Sequence, residues 1–187
     1  MAINDRKPEK GRFLISEPFL PDPNFKRSVV LLTEHGEEGS VGFVLNQPVN
    51  LHLNEIIEDF PEFEVPIYMG GPVQQDTLHL IHRIEALRPT AIEVRPGVFW
   101  GGDFNLLRDL IETASISKSD IRFFIGYSGW GPGQLAEELE RNSWIVAPGS
   151  RKFTFFEDPD TLWKQMLSAL GSRYKRMTGY PEDPMMN

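Results

Sequence analysis

Residues 121–134 read IRFFIGYSGWGPGQ, an apolar run that leads into four glycines and a proline, and the helix-like run LAEELE follows. The apolar run predicts a buried strand over 121–125, and the later run predicts a helix over 133–141. Glycines between a strand and a helix can bring backbone N–H groups close to a phosphate, or they can form a tight turn. The turn is the favoured interpretation, because glycine reports backbone geometry before it reports chemistry.

Two catalytic or phosphate-binding motifs fit this stretch poorly. No Gly-Lys-Ser/Thr follows the glycines, so the stretch is not a P-loop, and the early helical residues Glu137 and Glu138 would compete with a bound anion. Residues 126–130 nearly match the G-x-S-x-G nucleophile elbow around Ser128. The last position is Trp130, however, and the helix starts several residues later than an elbow requires.

The segments on both sides of this stretch are short and mixed in type. Residues 28–45 predict a β-hairpin around Gly36 and Gly39, and Asn50 is the predicted N-cap of a helix over 51–60. Further strands are predicted at 12–16, 66–69, 78–82, 91–94, 98–100, 144–147 and 153–156, and further helices at 103–115 and 159–170. About nine strands and four helices that do not alternate as βαβ units indicate a mixed or antiparallel sheet with peripheral helices, an α+β fold.

Length and composition fit one globular domain. The chain has 187 residues, of which 40% are hydrophobic and 25% charged. We expect a disordered lead-in over 1–10, a single domain over 11–171 and a mobile C-terminal tail over 172–187. The chain has no cysteine, which excludes disulfides and thiol chemistry.

The charge balance argues against nucleic-acid binding. The net charge is −8 and the pI about 5.0, whereas nucleic-acid binders carry a basic face. Direct binding would require a basic patch assembled from Arg83, Arg88, Arg95 and Arg108. The N-terminus lacks the apolar core of a signal peptide and no run is long enough to span a membrane, so we expect a cytoplasmic protein with no membrane contact.

The histidines do not predict a metal site. His79 and His82 lie three apart in a predicted strand, so they face opposite sides. His35 follows a strand beside Glu34, where hydrogen bonding to the turn backbone is the simpler role.

A ligand site is predicted where three strand ends would meet. Asn46-Gln47-Pro48 and Met69-Gly70-Gly71 each end a strand, and their convergence with 126–133 would form a pocket rich in backbone donors. A pocket with few acids or bases favours binding over catalysis. No catalytic residue, metal or cofactor is assigned. The predicted ligand-binding residues are His35, Asn46, Gly70, Gly71, Gly126, Gly129, Trp130, Gly131 and Gln134.

Several motifs in the same order resemble the bacterial YqgE/AlgH family over about residues 11–171. They are FLISEP (13–18), DPNFKRSVV (22–30), EH (34–35), GSVGFVLNQP (39–48), YMGGPV (68–73), GYSGWGPGQL (126–135) and NSW (142–144). Ser16 and Ser40 stand where the family commonly has alanine.

The resemblance implies a fold and a broad role. The fold is α+β, with a largely antiparallel, bifurcated sheet that has a small barrel-like portion and is surrounded by about four helices. The role is regulation of transcription, which the acidic chain would perform indirectly through a protein partner or a small ligand. The alternative is an enzyme that acts on a nucleotide or a phosphorylated small molecule, using the glycine turns and His35.

Overall fold

The computed structural model describes residues 6–182 and contains one ten-stranded sheet with helices packed around it. The strands are β1 Phe13–Ser16, β2 Val29–Gly36, β3 Gly39–Val44, β4 Pro48–Val49, β5 Ile67–Met69, β6 Val73–His82, β7 Ile92–Arg95, β8 Val98–Trp100, β9 Ile121–Trp130 and β10 Trp144–Ala147. The α-helices are α1 Leu53–Ile56, α2 Phe104–Glu112, α3 Gln134–Glu140, α4 Arg151–Thr154, α5 Pro159–Ala169 and α6 Ser172–Lys175. Short 3-10 helices cover Pro23–Phe25, Glu85–Thr90, Lys118–Asp120 and Arg176–Gly179.

The sheet forks at β9. The main path runs β10-β1-β2-β3-β9-β6-β8-β7, and β5 leaves this path on β9 with β4 beside it. The first half of β9 pairs in parallel with β5, and its second half pairs antiparallel with β3 along the same edge. The α+β class and the bifurcated, largely antiparallel sheet are therefore confirmed.

The barrel-like portion is the part of the expected fold that the strand pairing does not reproduce. The path ends at β10 and β7, and these two strands do not pair within residues 6–182. The sheet is therefore open, with β10 and β7 as its two outer strands and β5 branching from the edge of β9 that also pairs with β3.

Three apolar clusters fill the two faces of the sheet and the space under the helices. Trp163, Met166 and Leu167 of α5 pack on β1 and β2, while Leu107 and Ile111 of α2 pack on the first half of β9. Leu135 of α3 packs in a third cluster against β3 and β10. The amphipathic spacing of these helices is what buries one face of each.

Several predicted elements differ from the observed ones. Residues 126–130 are strand and not turn, because the backbone hydrogen bonds of β9 continue through the glycines to Trp130. The helix predicted over 51–60 is limited to α1, with His52 and not Asn50 at its N-cap. Residues 153–156, predicted as a strand, form the end of α4 and the turn after it, because the Ser150 hydroxyl caps this helix by accepting from Phe153 N.

The described part of the predicted tail is helical and packed. Tyr174 of α6 is buried, and Tyr180 stacks on Phe19 with ring centroids 5.6 Å apart. Arg27 Nη2 donates to the Tyr180 carbonyl at 2.6 Å. The division into lead-in, domain and tail stays a prediction, and residues 1–5 and 183–187 lie outside the described residues.

Candidate functional site

Gly70 sits where the sheet forks, and it joins three strands. Its N–H donates to the Ile125 carbonyl of β9, and its carbonyl accepts from Val44 N of β3, both at 2.8 Å. The Ser128 hydroxyl donates to the same carbonyl at 2.9 Å. The backbone around Gly70 is therefore fully used in holding β3, β5 and β9 together.

The glycines at the fork are required by close backbone approach. A Cβ on Gly70 would lie 2.8 Å from the Phe43 ring and would also clash with the Gly126 carbonyl. A Cβ on Gly126, whose φ is +63°, would lie 2.7 Å from the Val73 carbonyl. Gly71 packs against the Tyr127 backbone in the same way. These contacts explain why the fold requires glycine at these positions, without any need for a bound ligand.

Asn46 fastens the end of β3 to the start of β2. Its Oδ1 accepts from Val29 N and its Nδ2 donates to the Arg27 carbonyl, both at 2.9 Å. The neighbouring Gln47 carbonyl accepts from Met69 N at 2.8 Å. The strand ends at 46–48 and 69–71 therefore meet each other and the middle of β9, and hydrogen bonds within the fold occupy the side chain of Asn46 and the backbone of Gly70.

The glycine-rich end of β9 is bound to α3. Trp130 Nε1 donates to Glu138 Oε2 at 2.9 Å, and Gln134 Nε2 donates to Glu138 Oε1 at 3.0 Å. Gly131 N donates to Gln134 Oε1 at 3.0 Å. The Gly131 N–H that could have met a phosphate is therefore engaged by a side chain of the same helix.

Ser128 does not occupy a nucleophile elbow. It lies inside β9, it is fully buried, and its hydroxyl donates to the Gly70 carbonyl. An elbow serine stands exposed at a strand-to-helix turn with its hydroxyl free to attack. The role of Ser128 is to tie the two branches of the fork.

His35 lies in an open groove at the tip of the β2–β3 hairpin. The groove has a volume of about 360 Å³ and includes Trp130 on one wall. His35 Nδ1 and Ser40 Oγ lie 2.7 Å apart. Glu34, Glu37 and Glu38 are exposed and line the same groove. A groove lined by three carboxylates favours a cationic or neutral group over a phosphate.

His79 and His82 are engaged inside the sheet. His82 is fully buried, its Nε2 donates to the Gly101 carbonyl at 2.8 Å, and Ile84 N donates to its Nδ1 at 3.1 Å. His79 packs among the rings of Phe43, Trp100 and Tyr127. Burial lowers the pKa of both imidazoles below the ordinary value of 6.5.

Arg122 is a buried cation that the sequence did not single out. Its Nη1 donates to the Tyr68 hydroxyl at 2.6 Å and its Nε donates to the Thr154 carbonyl at 3.1 Å. Its Nη2 donates to the Phe156 carbonyl. Burial lowers its pKa, and the contact with Tyr68 opposes that shift. The sequence signal for this buried cation was an arginine within the otherwise apolar strand predicted over 121–125.

A second groove, of about 450 Å³, lies beside α4 and collects basic side chains. Arg83, Arg151 and Lys152 line it together with Phe155 and Phe156. Arg95 lies outside this groove, in a loop that packs against the loop before Arg151: a Cβ on Gly149 would clash with Arg95 Nη1, and a Cβ on Gly97 would lie 3.2 Å from Arg151 Nη1. In the sequence, only the adjacent Arg151 and Lys152 indicated this basic groove, because Arg83 and the neighbouring Arg95 come from distant segments.

Within residues 6–182, no three His, Asp or Glu side chains are grouped so that they could hold a metal ion. No helix in the same part of the chain is both long enough and apolar enough to cross a membrane.

Comparisons with known proteins agree across sequence and structure. A family model described as AlgH-like matches residues 13–175. A UPF0301 protein of Cytophaga hutchinsonii is 42% identical over 179 residues, covering 95% of this chain and 98% of that one. The UPF0301 protein CT0663 of Chlorobaculum tepidum is 44% identical over 177 residues, covering 95% of each.

Two solved structures share the fold. The solution structure of the AlgH protein from Pseudomonas aeruginosa superposes with a TM-score of 0.73 at 28% identity, covering 94% of this chain and 98% of that one. The crystal structure of protein DIP2367 from Corynebacterium diphtheriae gives a TM-score of 0.75 at 24% identity, covering 94% of each chain.

Proposed function

Because this chain belongs to the AlgH-like family, we propose that it is a regulator of transcription that acts through a protein partner or a small ligand and does not hold DNA itself. Family membership supports the regulatory role through the resemblance described above. The charge distribution supports the indirect mode of action.

The indirect mode of action is supported most directly by the partners that the arginines already have within the chain. Arg83 forms an ion pair with Asp120 at 2.8 Å, and Arg88 forms one with Glu85 at 3.6 Å. Arg108 packs over the Phe60 ring at 5.9 Å. Three of the four arginines that a DNA-binding patch would need therefore have partners within the chain, whose net charge is −8.

A gel-shift experiment tests the indirect mode. The chain is titrated into duplex DNA from the promoters that it affects, at low salt and at physiological salt. We expect no sequence-specific complex at physiological salt, since counterion release would supply little free energy to an acidic protein. A specific complex under those conditions would contradict the proposal.

We further propose that the His35 groove is the contact surface. Among the residues predicted to bind a ligand, His35 has an exposed polar side chain that faces an open groove, whereas Asn46 and Gly70 are engaged within the fold. The three carboxylates around His35 suit a cationic ligand or a basic segment of a partner.

Complementation tests this surface. A deletion strain receives the native gene, a Glu37→Gln/Glu38→Gln variant or a Glu58→Gln/Glu62→Gln control with the same loss of charge on another exposed segment. We expect the native gene and the control, but not the hairpin variant, to restore the transcript profile. Restoration by all three would contradict the groove, and an unchanged profile after deletion would contradict the regulatory role.

One observation favours the enzymatic alternative, an enzyme acting on a phosphorylated small molecule. The 2.7 Å separation of His35 Nδ1 and Ser40 Oγ is that of a nucleophile and its base. Ser40 is buried, and the carboxylates around His35 would repel a phosphate. Labelling by a fluorophosphonate probe that Ser40→Ala abolishes would favour the enzyme.

A further inference from the structure

The loop at the end of β7 and the loop before α4 pack against each other, and each carries one guanidinium group. Arg95 ends β7 and packs against Gly149, where a Cβ would clash with Arg95 Nη1. Arg151 begins α4 and lies against Gly97, where a Cβ would be 3.2 Å from Arg151 Nη1. Each loop thus uses a glycine to admit one guanidinium.

These two cations lack a compensating charge. Arg95 Nε and Nη1 are buried and have no hydrogen-bond partner among residues 6–182. No carboxylate in this part of the chain forms an ion pair with Arg95 or Arg151, and the Glu93 carboxylate in the same turn accepts from Gly97 N at 3.4 Å. Burial and the charge of Arg151 lower the pKa of Arg95. Unpaired buried donors of this kind are costly to leave unsatisfied.

Arg151 connects this pair to the 450 Å³ groove beside α4. The cations Arg83 and Lys152 lie on its walls, and the rings of Phe155 and Phe156 supply an apolar surface. Arg83 stacks over Phe155 with its Cζ 5.1 Å from the ring centroid.

The acidic side chains of the groove are largely occupied. The Asp158 oxygens accept from Asp160 N at 3.1 Å and from Thr161 Oγ1 at 2.8 Å, as an N-cap of α5. Glu157 is the remaining carboxylate on the wall. The groove therefore has three cations and two carboxylates on its walls, and one of the cations, Arg83, is paired with Asp120.

We propose that Arg95 and Arg151 together bind an oxyanion and that the adjoining groove holds the organic part of a small phosphate ester. Planar guanidinium groups pair with phosphate oxygens through parallel hydrogen bonds. The groove has the volume of a small-molecule site. This site is separate from the His35 groove, and it holds whether or not the chain regulates transcription.

Calorimetric titration of the full chain with phenyl phosphate at constant ionic strength tests the site. We expect saturable binding, and about a tenfold loss of affinity in Arg95→Gln and in Arg151→Gln, since each loses charge-assisted hydrogen bonds. Arg108→Gln removes the same charge over the distant Phe60 ring and should bind as the native chain does.

Three results would overturn the proposal. The first is that the native chain shows no saturable binding. The second is that Arg108→Gln weakens binding as much as the two site variants do, which would indicate a general charge effect. The third is that inorganic phosphate binds as tightly as phenyl phosphate, which would leave the groove without a role. Displacement of phenyl phosphate by a phosphate-matched amount of duplex DNA would likewise contradict a small-molecule site.

The ligand-free protein supplies a second measurement. Arg95→Met keeps the apolar stem and removes the unpaired donors, so it should raise the Tm by about 2–4 °C while weakening phenyl phosphate binding at least as much as Arg95→Gln does. A lower Tm in Arg95→Met than in the native chain would show that Arg95 stabilises the fold, and this result would contradict the proposed site.

Discussion

At the scale of single residues, the room for a Cβ explains why some positions must be glycine. Gly70, Gly71 and Gly126 stand where four strands meet with no room for a Cβ, while Gly131 is exposed and its Cβ would meet nothing closer than 3.9 Å. The same glycine-rich stretch therefore contains positions that the fold requires and positions that it tolerates. The sequence could not separate them, because both types read as glycine between a strand and a helix.

Gly70→Ala should lower the free energy of unfolding by about 3 kcal/mol, because the added methyl group would have to displace the Phe43 ring and the Gly126 carbonyl. Urea denaturation followed by tryptophan fluorescence measures the change. Gly131→Ala is the matched control and should change the same quantity by no more than about 0.5 kcal/mol. A larger effect at Gly131 than at Gly70 would show that the fork does not depend on its glycines.

At the scale of elements, α3 is attached to the sheet by one carboxylate. Glu138 Oε2 accepts from Trp130 Nε1 of β9 at 2.9 Å and from Trp144 Nε1 of β10 at 2.7 Å. The helix has seven residues, too few for independent stability, so its position depends on this attachment and on buried Leu135.

Glu138→Ala should cost about 3 kcal/mol of unfolding free energy, because two indole N–H groups lose the same charged acceptor. The near-ultraviolet circular dichroism of the tryptophans should also weaken. Glu137→Ala, which removes an exposed ion pair with Arg141 in the same helix, should change the free energy of unfolding by less than about 0.5 kcal/mol. Comparable losses in the two variants would refute the role given to Glu138.

Elements with strong local signals were predictable, and those set by distant contacts were not. The β2–β3 hairpin and α5 follow from turn glycines, an N-cap and an apolar stripe, all within a few residues. The run FTFF at 153–156 favours a strand by propensity, but Ser150 caps α4, and Arg122 binds the carbonyls of Thr154 and Phe156. A bond from a residue about thirty positions away leaves no mark in the local pattern.

At the scale of the whole molecule, stability should depend on pH through the buried imidazoles. Burial keeps the pKa of His82 and of His79 below 6.5 in the folded chain. The unfolded chain therefore takes up protons first as the pH falls through 6.5, and the free energy of unfolding decreases. For His82 a hydrogen bond acts in the same direction as burial, because a proton on Nδ1 would break the bond that Ile84 N donates to it.

The free energy of unfolding should therefore fall between about pH 7.5 and about pH 5.5, and it should fall less in His82→Gln than in the native chain. Urea titrations at several pH values measure the slope. His79→Gln combined with His82→Gln should flatten it further. An unchanged slope in the double variant would assign the pH dependence to other groups.

The sequence predicted the class of fold and placed His35 among the ligand-binding residues, but it could not predict the arginine site. The α+β class followed from the order of the elements, whereas the convergence of 46–48 and 69–71 with 126–133 was a hypothesis that one sequence cannot show. The Arg95–Arg151 pair arises because β7 and α4 come together in space from distant parts of the chain. Such a juxtaposition depends on the sheet topology, which one sequence does not specify.

The pairing of β1 with β10 has a consequence for synthesis in the cell. Residues 13–16 pair with 144–147, and Trp163 Nε1 donates to the Ser16 carbonyl at 2.9 Å. The first strand to leave the ribosome must therefore wait for nearly the whole chain before it gains its outer neighbour. Until residues 144–147 are made, one edge of this buried, apolar strand has no partner, and such an edge favours aggregation.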